Sequence, residues 1–275
     1  MAELYGENPS TSAKRASNEL AISNTSTRRV IKQLKLRVYI PRLVQHLHED
    51  DFDRRKEFCE TMIENFQNDI GLVDRIIWSD EATFKLDGSV NRHNSVYYAT
   101  QNPHLIQTKE VASLGLCVWA AIHSGGIFGP FFFAGTVNGQ CYLEMLQQQF
   151  IPALETLPNH DEYLFQQDGA PPHYANVVRD WLNSRFDGQW IGRRGSFCDW
   201  PARSPDLTVC DFFLWGYIKD RVYKTRSVNL AELCKRITNE FSLVDADLCR
   251  QACQSVLRRF DACLRANGEH FEHLD

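Results

Sequence analysis

No run of apolar residues in this chain approaches the roughly 20 that a membrane-spanning helix needs. The opening MAELYGENPS also lacks the pattern of a secretory signal. The expectation is a chain with no membrane partner. No CxxC pair occurs among the nine cysteines, an odd number scattered along the sequence, which argues against a disulfide framework and fits a reducing compartment. Internal repeats and low-complexity stretches are missing as well. What remains is ordinary globular material: 275 residues, 43% apolar and 24% charged, enough for one sizeable core and a smaller module.

Acids are scarce at one end. Residues 1–48 hold eight Lys/Arg and three acids, while the whole chain carries −5. A basic head on an acidic body suits a polyanion, although a solvated basic arm has the same composition. Within the head, STSAKRASNELAISNTSTRRVIKQLKLRV shows two short helical patterns flanking AISN. The second is expected to start near Thr25, with Thr27, Val30, Ile31 and Leu34 at helical spacing and Arg28, Arg29 and Lys32 turned away from that seam. Two short helices, a tight turn and a basic second helix make a helix-turn-helix, whose recognition helix would bring Asn24, Thr25, Arg28, Arg29 and Lys32 to bases or phosphates.

YIPRLVQHL (39–47) contains a proline and is read as a linker. EDDFDRRKEFCETMIENF (49–66) opens with acids that suit a helix N-terminus. Its Phe52, Phe58, Cys59, Met62, Ile63 and Phe66 form an apolar face, so a packing helix without chemistry of its own is expected. From residue 73 the pattern changes. VDRIIWSDEATF, NSVYYA and ASLGLCVWAAI read as strands, HSGGIFGPFFFAG as a turn and a strand, and CYLEMLQQQFIPAL as a helix. Strand EYLFQQD, helix ANVVRDWLNSRF, the short WIGRRG segment and helix VCDFFLWGYIKDRVY follow, and residues 229–267 are helical by pattern. This order describes an α/β fold with a mixed sheet flanked by helices. The expected division is a partial helix-turn-helix region at 1–38, linker and helix at 39–72, the α/β domain at 73–228 and a helical segment at 229–275.

Three acids stand out. In IIWSDEATF, strand alternation points Asp80 and Glu81 to opposite faces, so only one is expected in a shared site, with Glu81 facing away. Asp168 ends LFQQD, and Pro171 and Pro172, which have no N–H to offer, stop the pairing just beyond it. Asp211 stands in the first turn of the helix in SPDLTVCDFFLWG. Each has an ordinary reading as well: a strand-end Asp serves turns, and Thr208-x-x-Asp211 has the form of a capping box. His173, five residues past Asp168, is expected to be hydrogen-bonded within its own turn. A zinc site built from Cys249, Cys253, Cys263, His270 and His273 is outweighed by buried helix cysteines, because the spacing fits no standard finger. Arg193-Arg194, flanked by Gly192 and Gly195, is read as a grip on a phosphate.

Taken together, WSDEATF, QQDGAPPH and WPARSPDLTVCDFFLWG resemble the three acid-bearing motifs of mariner-type transposases, members of the DDE/D superfamily. AISNTSTRRVIKQL resembles the second half of that family's helix-turn-helix region, and YIPRLVQHLHEDDFDRRKEF its linker. The resemblance implies an RNase H-like catalytic domain with a small all-α head, and a catalytic, metal-holding triad of Asp80, Asp168 and Asp211. Three departures stand against it. Gly169 replaces the usual Asn after the second acid, 42 residues separate Asp168 from Asp211, and the head is short. The short head suggests a truncated or domesticated copy.

The implied chemistry accounts for the acids. Cleaving a phosphodiester in line needs an activated water and a stabilised leaving oxygen, which two divalent ions ~4 Å apart supply. Mg²⁺, with Mn²⁺ as a substitute, takes hard oxygen ligands, so a few carboxylates suffice. No activated Ser or Tyr nucleophile is needed. The implied function is transposition, namely metal-dependent cleavage at transposon ends and strand transfer. Its partners are double-stranded DNA, both terminal repeats and target, with room for a homodimer and no small-molecule substrate; the nucleus is the implied compartment. The alternatives are a domesticated DNA-binding protein that no longer cuts, and an RNase H-type nuclease without sequence recognition.

Overall fold

A computed structural model describes residues 1–7, 11–37, 45–88 and 114–272. The strand expected at 94–99, most of the linker at 39–47, and His273 lie outside the described residues. The chain divides into two compact units, Met1–Val44 and Gln45–Asp275.

The smaller unit holds helices α1 (Ala2–Glu7), α2 (Ala13–Glu19) and α3 (Asn24–Gln33). Local sequence sets the start of both α2 and α3. Ser12 Oγ accepts the Arg15 N–H at 3.2 Å and Ser23 Oγ accepts the Ser26 N–H at 3.1 Å, each satisfying an otherwise orphaned donor of a first turn. Ala21 takes a left-handed φ of 51° in the turn between the two helices. Ala16, Ser17 and Thr27 are buried where α2 meets α3, and Val30 and Ile31 are half-buried, but Leu34 remains 41% exposed. The expected seam is therefore shorter by one turn. Asn24, Thr25, Arg28, Arg29 and Lys32 are all exposed on α3.

In the larger unit, helix α4 (Glu49–Asn68) precedes strands β1 (Ile76–Lys85), β2 (Gly115–His123) and β3 (Gly126–Phe133). Next come α5 (Gly139–Met145), a π turn (Leu146–Phe150) and α6 (Ile151–Leu154), which together form the helix expected from CYLEMLQQQFIPAL. Strand β4 (Leu164–Gln166), α7 (Asn176–Arg185), β5 (Trp190–Gly192) and β6 (Cys198–Asp199) follow. A π turn at Cys210–Leu214 then leads into α8 (Trp215–Val222), and α9 (Leu230–Ser242), α10 (Ala246–Gln254) and α11 (Val256–Arg265) close the chain. The sheet order is β3-β2-β1-β4-β5-β6. β1, β2 and β3 pair antiparallel, whereas β4, β5 and β6 run parallel to β1. This is the RNase H-like mixed sheet that the resemblance implies. WIGRRG, a short segment in the sequence, supplies the inner strand β5.

Both faces of the sheet are covered, and β1 serves both. Trp78, Ala82 and Phe84 join one core with α4 and α8 to α11, while Ile77 joins a second core with Trp119, Tyr142, Phe150 and Leu182. The helices after residue 229 belong to the first core. α4 packs Phe58 and Phe66 on Phe260 of α11, with ring centroids 5.5 and 6.2 Å apart.

The start of α4 is pinned by its own acids. Asp51 accepts the His48 N–H at 2.8 Å and both Arg203 guanidinium donors at 2.5 and 2.6 Å. The Arg203 hydrogen bond outweighs burial and holds the Asp51 carboxyl below the ordinary value. A depressed carboxyl stabilises the fold above its unfolded pKa of ~3.9, and that contribution is lost as the pH falls through the folded value. Asp51→Asn is expected to cost about 1.5–3 kcal/mol at pH 7. The difference from wild type should shrink on acidification, as urea titrations at several pH values would show.

Candidate active site

Register brings the first two acids to one level. Trp78 of β1 sits beside Gln166 of β4 in parallel register, so two residues further along each chain come Asp80 and Asp168. β4 stops at Gln166 while β1 continues to Lys85, and Asp168 therefore stands at the open strand mouth. A buried polar chain holds the loop beyond it. Tyr142 donates to Gln167 Oε1 at 3.0 Å, Gln167 Nε2 donates to the His173 carbonyl at 3.1 Å, and the Ala170 N–H donates to Asp168 Oδ1 at 2.9 Å.

The third acid arrives from the other core. Asp211 lies in the π turn that opens onto α8 and is exposed. The capping box does not form: Thr208 Oγ1 is buried without a hydrogen-bond partner, and Asp211 makes no side-chain hydrogen bond among the described residues. One turn on, the Trp215 Nε1–H donates to Asp80 Oδ2 at 2.7 Å and ties the helix to β1.

Electrostatics links the three. Burial raises the Asp80 pKa well above its ordinary value, and the charges of Asp211, Glu81 and Asp168 add to the effect. Asp211 is raised to about 7, first by loss of hydration and then by Asp168, with Lys219 opposing. Lys219 is itself lowered by burial despite Asp211 and Asp80, and its ammonium lies 5.5 Å from the Phe84 ring centroid. Asp168 behaves differently. Burial pushes it up, but the hydrogen bond and charge of His173 outweigh that and leave it lowered.

His173 meets one expectation and qualifies another. It is buried, its Nδ1 lies 2.5 Å from Asp168 Oδ1, and its Nε2 lies 2.9 Å from Glu81. Burial pulls its pKa down, yet the Glu81 charge and the hydrogen bonds to both carboxylates raise it to about 10, so the ring is a cation at pH 7. The bond to Asp168 lies within the turn, as expected, and the bond to Glu81 reaches across the fold in addition. Glu81 does occupy the face of β1 opposite Asp80, but it is not remote from the site. Because β4 ends two residues early, the loop carries His173 under the sheet to meet Glu81 from the second core.

Outside the acids, Asp168 and Asp211 line a cavity of about 810 Å³ together with Arg54, Arg193, Arg194 and Arg203. Arg54 comes from α4, the helix for which no chemistry was expected. Cys249, Cys253 and Cys263 are buried in the core, and the His270 ring nitrogen Nε2 lies 2.7 Å from the Gln45 carbonyl oxygen. Among the described residues, no three His, Cys, Asp or Glu side chains form a ready metal cage. Two contributors had a sequence signal: Trp215 and Lys219 follow Asp211 by four and eight residues, so all three share one helical face. Glu81 and Arg54 had none.

No protein-family profile matches the chain. The mariner Mos1 transposase of Drosophila mauritiana is 24% identical over 284 residues, covering 98% of this chain and 77% of that protein. The Tc3 transposase of Caenorhabditis elegans is 24% identical over 196 residues, 70% of this chain; the chain thus spans about half the length of that relative, 56%. Among solved structures, a Mos1 transposase paired-end complex with the left transposon end superposes with a TM-score of 0.78 at 21% identity, over 98% of this chain and 78% of that one. The chain is thus similar to the mariner Mos1 transposase over nearly its full length and to the Tc3 transposase over 70% of it.

Proposed function

We propose that this homologue of mariner-type transposases is a DNA transposase that hydrolyses phosphodiesters at transposon ends and joins the freed strand to target DNA. The observation that supports this reading is the shared electrostatic neighbourhood of Asp80, Asp168 and Asp211, in which burial first, and then the charges of the neighbouring acids, push Asp80 and Asp211 toward protonation. That frustration suits a hard divalent cation, which reverses the local charge balance. The donor set fits too. Asp168 Oδ2, Asp80 Oδ1 and both Asp211 oxygens carry no hydrogen bond among the described residues. Asp80, Asp168 and Asp211 would hold Mg²⁺ or Mn²⁺, which when bound polarises the phosphate and acidifies the attacking water.

The chain's own residues prepare the site for that load. The His173 imidazolium, anchored by Glu81, keeps Asp168 ionised and fixes which of its oxygens faces outward. The Trp215 hydrogen bond holds Asp80 Oδ2 and leaves its Oδ1 without a hydrogen bond among the described residues. The cavity arginines bring positive charge to incoming DNA. Mos1 is known in paired-end and strand-transfer complexes. By extension, two copies of this chain would pair two transposon ends and act on chromosomal DNA in the nucleus. The comparisons lend no support to a DNA-binding protein that has lost its nuclease. A metal-dependent nicking assay on transposon-end and unrelated duplexes tests the reading. End-selective nicking supports it, and selective binding without nicking in Mg²⁺ or Mn²⁺ would replace it with the inactive alternative.

In the head, Asn24, Thr25, Arg28, Arg29 and Lys32 are assigned to DNA. Replacing a phosphate-contacting Arg28, Arg29 or Lys32 by Ala is expected to lower the slope of log affinity against log salt by about 1. A base-reading Arg would instead relax sequence preference by ~1–3 kcal/mol. A triple Ala variant with the wild-type slope would make this helix a solvated arm.

A further inference from the structure

Beside the acids stands an arrangement that the metal chemistry does not use. Three guanidiniums gather on the half-buried ring of Tyr174, the residue after His173. Their carbons lie 4.2 Å (Arg193), 4.5 Å (Arg179) and 5.9 Å (Arg194) from the ring centroid. Cation–π attraction brings each to the ring, but like charges held this close repel one another. Asp199 accepts the Arg194 backbone N–H at 2.7 Å, but no ion pair to a guanidinium of the three offsets the repulsion among the described residues. None of the three makes a salt bridge among the described residues, although Arg55, Arg75, Arg185, Arg203 and Arg236 all do. Arg179 Nη2 donates only to Asn176, and its Nε is buried without a partner. Arg193 and Arg194 are exposed and line the cavity that Asp168 and Asp211 share.

Gly169 lies against the stem of Arg193. A Cβ added there would stand 3.4 Å from Arg193 Cβ and 3.5 Å from its Cδ, in ordinary van der Waals contact. The departure at Gly169 and the arginine pair are therefore neighbours in space, although 24 positions separate them in the sequence.

We propose that Arg179, Arg193 and Arg194, spaced by the Tyr174 ring, form a clamp for a backbone phosphate of the DNA strand entering the site. The clamp rests on the transposase reading and adds its ligand, a phosphodiester, and its spacer, a neutral aromatic ring. A guanidinium matches phosphate geometry through paired N–H donors, and several around one anion hold it without any base preference.

The test measures binding of the full chain to a fluorescent transposon-end duplex and to an unrelated duplex, across a salt series without Mg²⁺ or Mn²⁺. Arg193→Ala and Arg179→Ala are each expected to lower the salt slope by about 0.9, equally on both duplexes. Tyr174→Leu leaves the charge unchanged and is also expected to weaken binding and lower the slope, while Tyr174→Phe retains both. A wild-type slope in Arg193→Ala and Arg179→Ala, or equal behaviour of the Leu and Phe variants, overturns the clamp and leaves the transposase reading standing. Failure of the wild type to bind either duplex overturns both. If Tyr174→Leu does not fold, the two arginine variants decide alone.

Discussion

Asp168→Asn is expected to lower metal-dependent strand cleavage at least a thousandfold, about 4 kcal/mol of barrier, with DNA affinity unchanged. The amide keeps the size and shape of the carboxylate. Its oxygen can still accept the Ala170 N–H that shapes the loop. What it lacks is charge. Asp168 is the acid of the three that His173 holds below its ordinary pKa, so it is ionised before any cation arrives, whereas Asp80 and Asp211 are pushed the other way. Removing it takes away the preformed anion of the site. Calorimetric titration with Mn²⁺ should show weakened or lost binding, a readout independent of turnover. Nicking at the wild-type rate in Mg²⁺ would remove Asp168 from the mechanism.

Arg55→Ala is expected to destabilise the fold by about 3–5 kcal/mol, because it leaves a buried carboxylate without its partner. Arg55 has a fully buried side chain, and Asp206 is 5% exposed. Arg55 Nη1 and Nη2 donate to the two Asp206 oxygens at 2.7 and 2.6 Å, Nη1 also reaches Ser204 Oγ at 2.9 Å, and Nε donates to the Gly268 carbonyl at 2.8 Å. One side chain thereby joins α4, the segment leading to Asp211, and the end of the chain after α11. At roughly 2–4 °C per kcal/mol for a unit of this size, the thermal midpoint should fall by about 6–20 °C. A double replacement of Arg55 and Asp206 by apolar residues of similar volume is expected to cost less than Arg55→Ala alone, since no buried charge is then orphaned. A loss below about 1 kcal/mol for Arg55→Ala would show that water reaches the pair.

Local rules made much of this protein legible before any coordinates. Alternation along IIWSDEATFK sends Asp80 and Glu81 to opposite faces, as the split of Trp78 and Ile77 between two cores reflects. The apolar run at 116–122 forms β2, an inner strand next to the edge strand β3, and is buried from Val118 to Ile122 because both faces of the sheet are covered. Ser12 and Ser23 place the first turns of α2 and α3 through hydrogen bonds that span three residues. The acids at the start of α4 and the motif order of the three carboxylates were readable for the same reason. Each is a short-range pattern with a backbone cause, and the resemblance to mariner-type transposases rests on just such short patterns.

What joins those patterns depended on contacts between residues far apart in the chain, which no local rule encodes. Glu81 meets His173 across 92 positions because β4 is shorter than β1 and the loop after it turns under the sheet. Arg55 finds Asp206 across 151 positions because α4 packs on α11 beside the segment before Asp211. The capping box proposed for Thr208 and Asp211 was sound as local chemistry, yet the helix opens with a π turn that leaves Asp211 free toward the cavity. Gly169 read as a missing side chain, and only packing shows that it lies against Arg193, whose guanidinium reaches the Tyr174 ring. The sequence by itself determined which residue types stand at strand ends and helix starts, since those follow from backbone geometry within a few residues. Tertiary structure alone decided which charges face one another, since the cost of a buried or crowded charge depends on every element packed around it.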